Sequence, residues 1–202
     1  MKRNLTLIIG ALALVLLIGG SYLLYNKLSK EYKSGSSFIM EETAAPTDDA
    51  TSTTQPSDSP QDDYNNYYNF TVTDWEGNEV QLSDMKGKPV ILNFWASWCP
   101  PCKAEMPDFE EAYKEHGDEI VFMMINLTDG YRETVEKAKN HVGKEGYTFP
   151  VYFDTKSEVG YSFSVSSIPA TYLIDAKGNI VGHAIGMVDS ESLAQAIEAL
   201  KQ

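Results

Sequence analysis

The chain has 202 residues, 16 of them basic and 29 acidic, for a formal net charge of −13 at pH 7. Nonspecific binding to nucleic acid or to anionic lipid rewards basic patches, so this balance argues against both. The length fits one ordinary domain with residues left over at one end, and two cysteines are too few to staple a disulfide scaffold.

The first predicted element is a nearly unbroken apolar run from Leu5 to Leu24 behind Lys2 and Arg3. At ~1.5 Å per residue, about 20 helical residues span the ~30 Å hydrocarbon core of a bilayer. Residues 5–25 therefore read as a transmembrane signal anchor inserted in the lipid bilayer, with residues 1–4 on the cytoplasmic side. A cleaved signal with its apolar core at Leu5 to Ile18 competes, but Gly19-Gly20-Ser21 is a poor cleavage site and apolar character resumes at Tyr22. No cysteine follows the run to take a thioether-linked lipid. Lys2 and Arg3 on one side face Lys27, Lys30 and Lys33 on the other, so charge does not orient the anchor.

Residues 26–66 read as a flexible linker. From Ser34 to Asn66 there are seven acidic residues and neither Lys nor Arg, among Ser, Thr, Pro and Gln. Such a segment cannot bury enough apolar surface to offset its ordering entropy.

Residues 67–202 carry globular patterning. Phe70 to Thr73 and Val80 to Leu82 flank a turn at Asp74-Trp75-Glu76-Gly77-Asn78, a hairpin. Val90 to Trp95 is a short continuous apolar run, the mark of a strand covered on both faces. Cys102 to His116 has helical spacing at Met106, Phe109, Ala112 and Tyr113, with Pro107 expected to kink it. A second buried strand follows at Ile120 to Ile125, then a charged helix over Asp129 to Lys144, a strand at Val151 to Phe153 and a short helix over Ser157 to Phe163. Strands at Thr171 to Ile174 and Ile180 to Ile185 flank a second Asp/Gly/Asn turn, and a helix from Ser190, its expected cap, to Leu200 closes the chain. Parallel strands joined by helices, with antiparallel strands at an edge, define a layered α/β sandwich.

Both cysteines lie in Trp98-Cys99-Pro100-Pro101-Cys102, at the junction between a buried strand and a helix. The first turn of a helix offers unpaired N–H groups and the positive end of the macrodipole, and both favour a thiolate. Pro100 and Pro101 fit there because their missing N–H groups have no intrahelical partner. Cys102, one turn on, is placed to resolve a mixed disulfide formed by Cys99, which is expected to be the exposed attacker. Half of a zinc site is the competing reading. A structural zinc needs four ligands, and His116, His141 and His183 are scattered, so no metal is expected. A pair of inert buried cysteines is the other; the helix-start position and Trp98 argue against it.

The run LSDMKGKPVILNFWASWCPPCKAEMP resembles the membrane-tethered thioredoxin-like thiol–disulfide oxidoreductases of bacteria (TlpA/ResA-like), a family that includes proteins of cytochrome c maturation. The resemblance covers about Phe70 to the C-terminus, and the anchor and linker match the usual layout. It implies a thioredoxin-like three-layer fold with an N-terminal β-hairpin extension, outside the cytoplasm. It also assigns roles. Ile168-Pro169, otherwise a proline starting an edge strand, becomes a cis-proline segment beside the cysteines where backbone pairs with a substrate. Glu105, one turn after Cys102, becomes a group that exchanges protons with the thiols; by spacing alone it reads equally well as a solvated helix carboxylate. Thioredoxins carry a buried aspartate where this chain has Asn93, which cannot titrate, so Glu105 is the local candidate. Trp98, Pro100 and Pro101 frame the substrate site, with Trp98 as an apolar rim.

The function expected is extracytoplasmic thiol–disulfide exchange with protein clients, reducing their disulfides through Cys99 and Cys102, as in cytochrome c maturation or methionine sulfoxide reductase recycling. Electrons would come from a CcdA/DsbD-like membrane thiol protein, since the chain has no glycine-rich nucleotide loop; no cofactor beyond the cysteine pair and no nucleic acid is expected. Placement at the cell membrane, single-pass with the domain outside, follows from where disulfides persist. The alternatives are a disulfide-forming oxidant, a tethered metal- or haem-delivery module, and a thiol peroxidase. The last requires a Thr or Ser three residues before the reactive cysteine, where this chain has Ala96.

Overall fold

Strands β4 (Val90–Trp95) and β5 (Val121–Asn126) pair in parallel along their whole length, Val90 with Val121 through Trp95 with Asn126. Both are buried almost end to end, as their continuous apolar character requires of strands covered on two faces. The computed structural model describes residues 19, 37–40 and 69–201. The chain divides into two units, Met1–Ser34 and Gly35–Gln202, and every described strand belongs to the second. The transmembrane reading of residues 5–25 lies, apart from Gly19, outside the described residues; among the described residues no helix is long and apolar enough to cross a membrane.

Around the β4–β5 pair the other strands are β1 (Ile39–Met40), β2 (Thr71–Thr73), β3 (Glu79–Gln81), β6 (Val151–Phe153), β7 (Ala170–Ile174) and β8 (Ile180–Ile185). The eight described strands form one sheet in the order β1-β8-β7-β4-β5-β6-β2-β3. β6 extends the parallel set beside β5, whereas β7, β8, β2, β3 and β1 pair antiparallel with their neighbours. The helices are α1 (Pro100–His116), α2 (Val135–Glu145), α3 (Glu158–Ser162) and α4 (Ser190–Leu200). Alternation along the strands sends Ile91 and Trp95 of β4, with Phe122 and Met124 of β5, into one apolar layer with Met106 and Phe109 of α1, Ala138 of α2 and Ile197 of α4. Leu92 and Phe94, with Met123 and Ile125, enter the opposite layer with Val159 of α3, Phe163 and the hairpin residues Phe70 and Val72. The result is a thioredoxin-like α/β sandwich with its sheet in the middle and an N-terminal hairpin on one edge.

Two helix N-termini are built differently from the sequence reading, each for a local reason. The helix expected from Asp129 begins at Val135, because the Asp129 carboxylate accepts the N–H groups of Tyr131 and Glu133 and folds a turn, leaving Thr134 to cap the helix on the Lys137 N–H. Ser190 does not cap α4; Asp189 does, accepting the Ser192 N–H. α1 continues past Pro107, which lies on its exposed side. A third difference lies in the segment read as linker. Phe38-Ile39-Met40 is its one apolar run; Phe38 packs against the core, and Ile39 and Met40 pair with His183 and Gly182. Gly182 permits that approach, since a Cβ there would lie 2.8 Å from Met40 Sδ and 3.2 Å from the Ile39 carbonyl oxygen.

Candidate active site

The carboxyl end of β4 delivers the chain through Ala96-Ser97-Trp98 into α1, and Cys99 stands as the N-cap of that helix. Pro100 and Pro101 fill its first two positions, as the sequence reading required, and both are exposed. Since neither carries an N–H, Cys102 supplies the first amide of the helix, and that amide donates to Cys99 Sγ at 3.2 Å. The cysteines are joined as a disulfide. When the pair is reduced, the same N–H and the helix dipole behind it favour a thiolate on Cys99.

Cys99 was expected to be exposed, and here the structure corrects the sequence reading. Only 2% of its surface is accessible, against none of Cys102. As the N-cap, its side chain turns back over the first helical turn, and the Ile168 carbonyl oxygen lies 3.8 Å from its sulfur. Ile168 comes 69 residues later in sequence, carried there with Pro169 by the antiparallel pairing of β7 with β4. The Ile168-Pro169 peptide bond is cis. The Pro169 carbonyl accepts the Gly186 N–H at 2.8 Å, and Pro169 itself is buried.

Glu105 is not a solvated carboxylate. It is 1% exposed, and two groups bond to it: Asn93 Nδ2 donates to Oε1 at 2.8 Å, and the Val188 N–H donates to Oε2 at 2.9 Å. Burial raises its pKa, the two hydrogen bonds oppose that only in part, and the Asp108 carboxylate pushes the same way as burial, so that Glu105 is lifted to about 7. A carboxyl group one turn from Cys102 thus exchanges its proton near neutrality. Asn93 makes a second bond, Nδ2 donating to Thr171 Oγ1 at 3.0 Å.

Trp98 is half-open to solvent, as a rim residue should be, but not as a purely apolar one: the Arg132 guanidinium lies 3.3 Å from its ring centroid. Beneath it, Ser97 Oγ donates at 2.7 Å to Glu133, a fully buried carboxylate that also accepts from Asn126 Nδ2 at 3.1 Å. Sequence reasoning missed Arg132, Glu133 and Val188; each is brought to the site by tertiary packing, without a local signal. Beside Trp98 opens a groove of about 980 Å³ lined by Leu127, Asp129, Ser157, Tyr161 and Ser164 among others. Ala96, where a peroxidase would need a hydroxyl, is buried.

The family model for the AhpC/TSA family matches residues 65–183. The chain is 41% identical over 128 residues to the thiol-disulfide oxidoreductase ResA of Bacillus thuringiensis (strain Al Hakam), covering 62% of this chain and 70% of that relative. Among solved structures, StoA from Bacillus subtilis superposes with a TM-score of 0.57 at 31% identity, over 64% of this chain and 96% of StoA. The pneumococcal exposed lipoprotein thioredoxin Etrx1 of Streptococcus pneumoniae strain TIGR4 gives 0.57 at 32% identity, over 65% of this chain and 99% of Etrx1.

Proposed function

We propose how this chain, which belongs to the AhpC/TSA family and is a thioredoxin-like thiol–disulfide oxidoreductase, carries out its exchange: it reduces disulfides of protein clients outside the cytoplasm. Cys99, as thiolate, attacks one sulfur of a client disulfide; a Cys99–client disulfide forms and the client's other sulfur leaves as a thiolate, which takes a proton. Cys102 loses its proton to Glu105 and attacks Cys99 Sγ. The client leaves with both thiols reduced, carrying the two electrons given up by the cysteine pair, which is left oxidised as the Cys99–Cys102 disulfide. No metal or organic cofactor takes part.

The observation that carries this reading is the convergence on one sulfur: Cys99 Sγ receives the first amide of α1 and lies against the carbonyl that precedes a cis-proline. The Ile168 backbone pairs with an extended client segment, while Trp98, with Arg132 over its ring, and the neighbouring groove form the docking face. Residues 5–25 anchor the chain in the membrane, and a CcdA/DsbD-like membrane thiol protein returns electrons. Cytochrome c precursors and a methionine sulfoxide reductase are the client classes proposed. The relation to Etrx1, an exposed lipoprotein thioredoxin, supports the extracytoplasmic placement.

The test is a Cys102→Ser variant of the full chain expressed in cells. It is expected to accumulate disulfide-linked complexes through Cys99, with the trapped clients found outside the cytoplasm. Absence of such complexes sinks the exchange scheme. The direction is read from the equilibrium of the purified chain with glutathione: a pair far more oxidising than glutathione makes the protein a disulfide donor instead.

A further inference from the structure

Both oxygens of the Glu105 carboxyl face hydrogen-bond donors: Oε1 the Asn93 side-chain nitrogen, Oε2 the Val188 backbone N–H. That arrangement suits a carboxylate. It does not suit a carboxylic acid, because a proton on either oxygen would be set against another N–H. The backbone amide of Val188 is fixed as a donor. The Asn93 amide is not, since rotation about its last side-chain bond exchanges nitrogen for oxygen with little change of shape.

The remaining contacts of Asn93 fit such a rotation. Asn93 and Thr171 are cross-strand partners in the β4–β7 ladder, and both are fully buried. Asn93 Nδ2 donates to Thr171 Oγ1 as well as to Glu105, whereas Asn93 Oδ1, equally buried, has no hydrogen-bond partner. A hydroxyl both donates and accepts. With the amide rotated, Oδ1 would accept from Glu105 Oε1–H and from Thr171 Oγ1–H together.

We propose that Asn93 is a positioning residue that follows the proton of Glu105: its amide presents Nδ2 to the carboxylate and rotates to present Oδ1 to the carboxylic acid, with the Thr171 hydroxyl reversing its role in step. This rests on the reading of Glu105 as the proton carrier for Cys102 and supplies what that reading lacks, a way to satisfy the buried carboxyl in both states. An aspartate at this position would titrate in its own right and compete for the same proton; a leucine would satisfy neither state. The groups that act on Glu105 are the Asp108 carboxylate from its own helix, the neutral Asn93 amide from β4, with Thr171 of β7 behind it, and the Val188 N–H from the loop before α4.

The test uses the full chain in its disulfide form, so that no thiol titrates, with asparagine labelled by ¹⁵N and glutamate by ¹³C at the carboxyl. From pH 5 to 9, the Asn93 side-chain amide resonances are expected to shift with the same midpoint as the Glu105 carboxyl, and to stop responding in Glu105→Gln. If Glu105 titrates while the Asn93 amide stays flat, the proposal is overturned and the proton-carrier reading stands. If Glu105 does not titrate in that range, both fall. In Asn93→Leu both protonation states lose a bond, the charge-assisted one of the carboxylate being the stronger, so the Glu105 midpoint should rise by no more than about one pH unit; a rise of about two units or more in a folded variant would mean that Asn93 serves the carboxylate alone, and also overturns the proposal. Should that variant not fold, the labelled wild-type chain carries the test alone.

Discussion

Helix α1 carries two buried glutamates five residues apart, and they behave in opposite ways. Glu105 is 1% exposed and its pKa is raised to about 7; Glu110 is 7% exposed and its pKa is lowered below the usual carboxylate value. Burial pushes both upward. The difference lies in what answers it. Glu110 accepts from the Thr148 N–H at 2.7 Å, the Thr148 hydroxyl at 2.7 Å and the Phe149 N–H at 3.2 Å, and pairs with Lys114 at 2.9 Å. Glu105 has two neutral donors and a like charge, Asp108, acting on it. A carboxylate given enough donors and a cation becomes a staple, here tying α1 to the start of β6. One denied them remains ready to take a proton.

The largest effect expected is on the staple. Glu110→Ala leaves the buried Phe149 N–H without a partner and removes two bonds from exposed Thr148, whose groups can turn to water; at about 1–3 kcal/mol for the stranded donor, and less for the other two, the loss comes to about 3 kcal/mol in urea unfolding at pH 7. Exchange by the molecules that remain folded should be unchanged. A loss under about 1 kcal/mol would mean that water replaces the carboxylate and that the two glutamates differ less than their surroundings imply.

Next in size is the pH dependence, where the two have opposite signs. Glu105 has a folded pKa above its unfolded value of 4.5, so the folded state holds the extra proton between the two. Its contribution is fully present below pH 4.5 and is lost as pH rises through about 7, worth about 3 kcal/mol for the interval. Glu110, with a depressed pKa, contributes above its unfolded value and is lost as pH falls below it. Unfolding measured from pH 3 to 9 should therefore show a maximum between, with Glu105→Gln flattening the alkaline limb and leaving the acid limb. The same variant should slow disulfide exchange at pH 7 by about a hundredfold, the usual contribution of a general acid–base. An alkaline limb that survives in Glu105→Gln would assign it to another group.

Much of this was legible in the residues. The turns at Asp74–Asn78 and Asp175–Asn179 are local: each aspartate accepts N–H groups two and four residues on, and Gly77 and Gly178 take positive φ. β4 announced itself by continuous apolar character, and the cysteine pair by its place after that strand. What escaped is tertiary. Asn93 was readable as a group that cannot titrate, yet its partner Thr171 lies 78 residues away and is reached only through strand register. Arg132 over Trp98 depends on a turn that Asp129 stole from the expected helix. The Ile168 carbonyl beside Cys99 arrives from 69 residues away, through the pairing of β7 with β4. Local chemistry punctuates the chain; the register of distant strands decides which side chains meet.

Two smaller substitutions sharpen the contrast within α1. Lys114→Ala removes the cation from Glu110 but none of its three bonds to Thr148 and Phe149; Lys114 is 63% exposed, so the cost should be about 0.5 kcal/mol and shrink in salt. Asp108→Asn removes the like charge acting on Glu105, three residues along the same helix, and leaves burial, the larger cause of the raised pKa, in place. The Glu105 midpoint should therefore move down, and the pH at which exchange changes rate should move down with it, while the Glu110 staple and acid stability stay as they are. A midpoint that does not move would assign the whole of the shift to burial. A midpoint that fell to the ordinary carboxylate value would be harder to absorb, because it would make charge rather than desolvation the cause that separates these two glutamates.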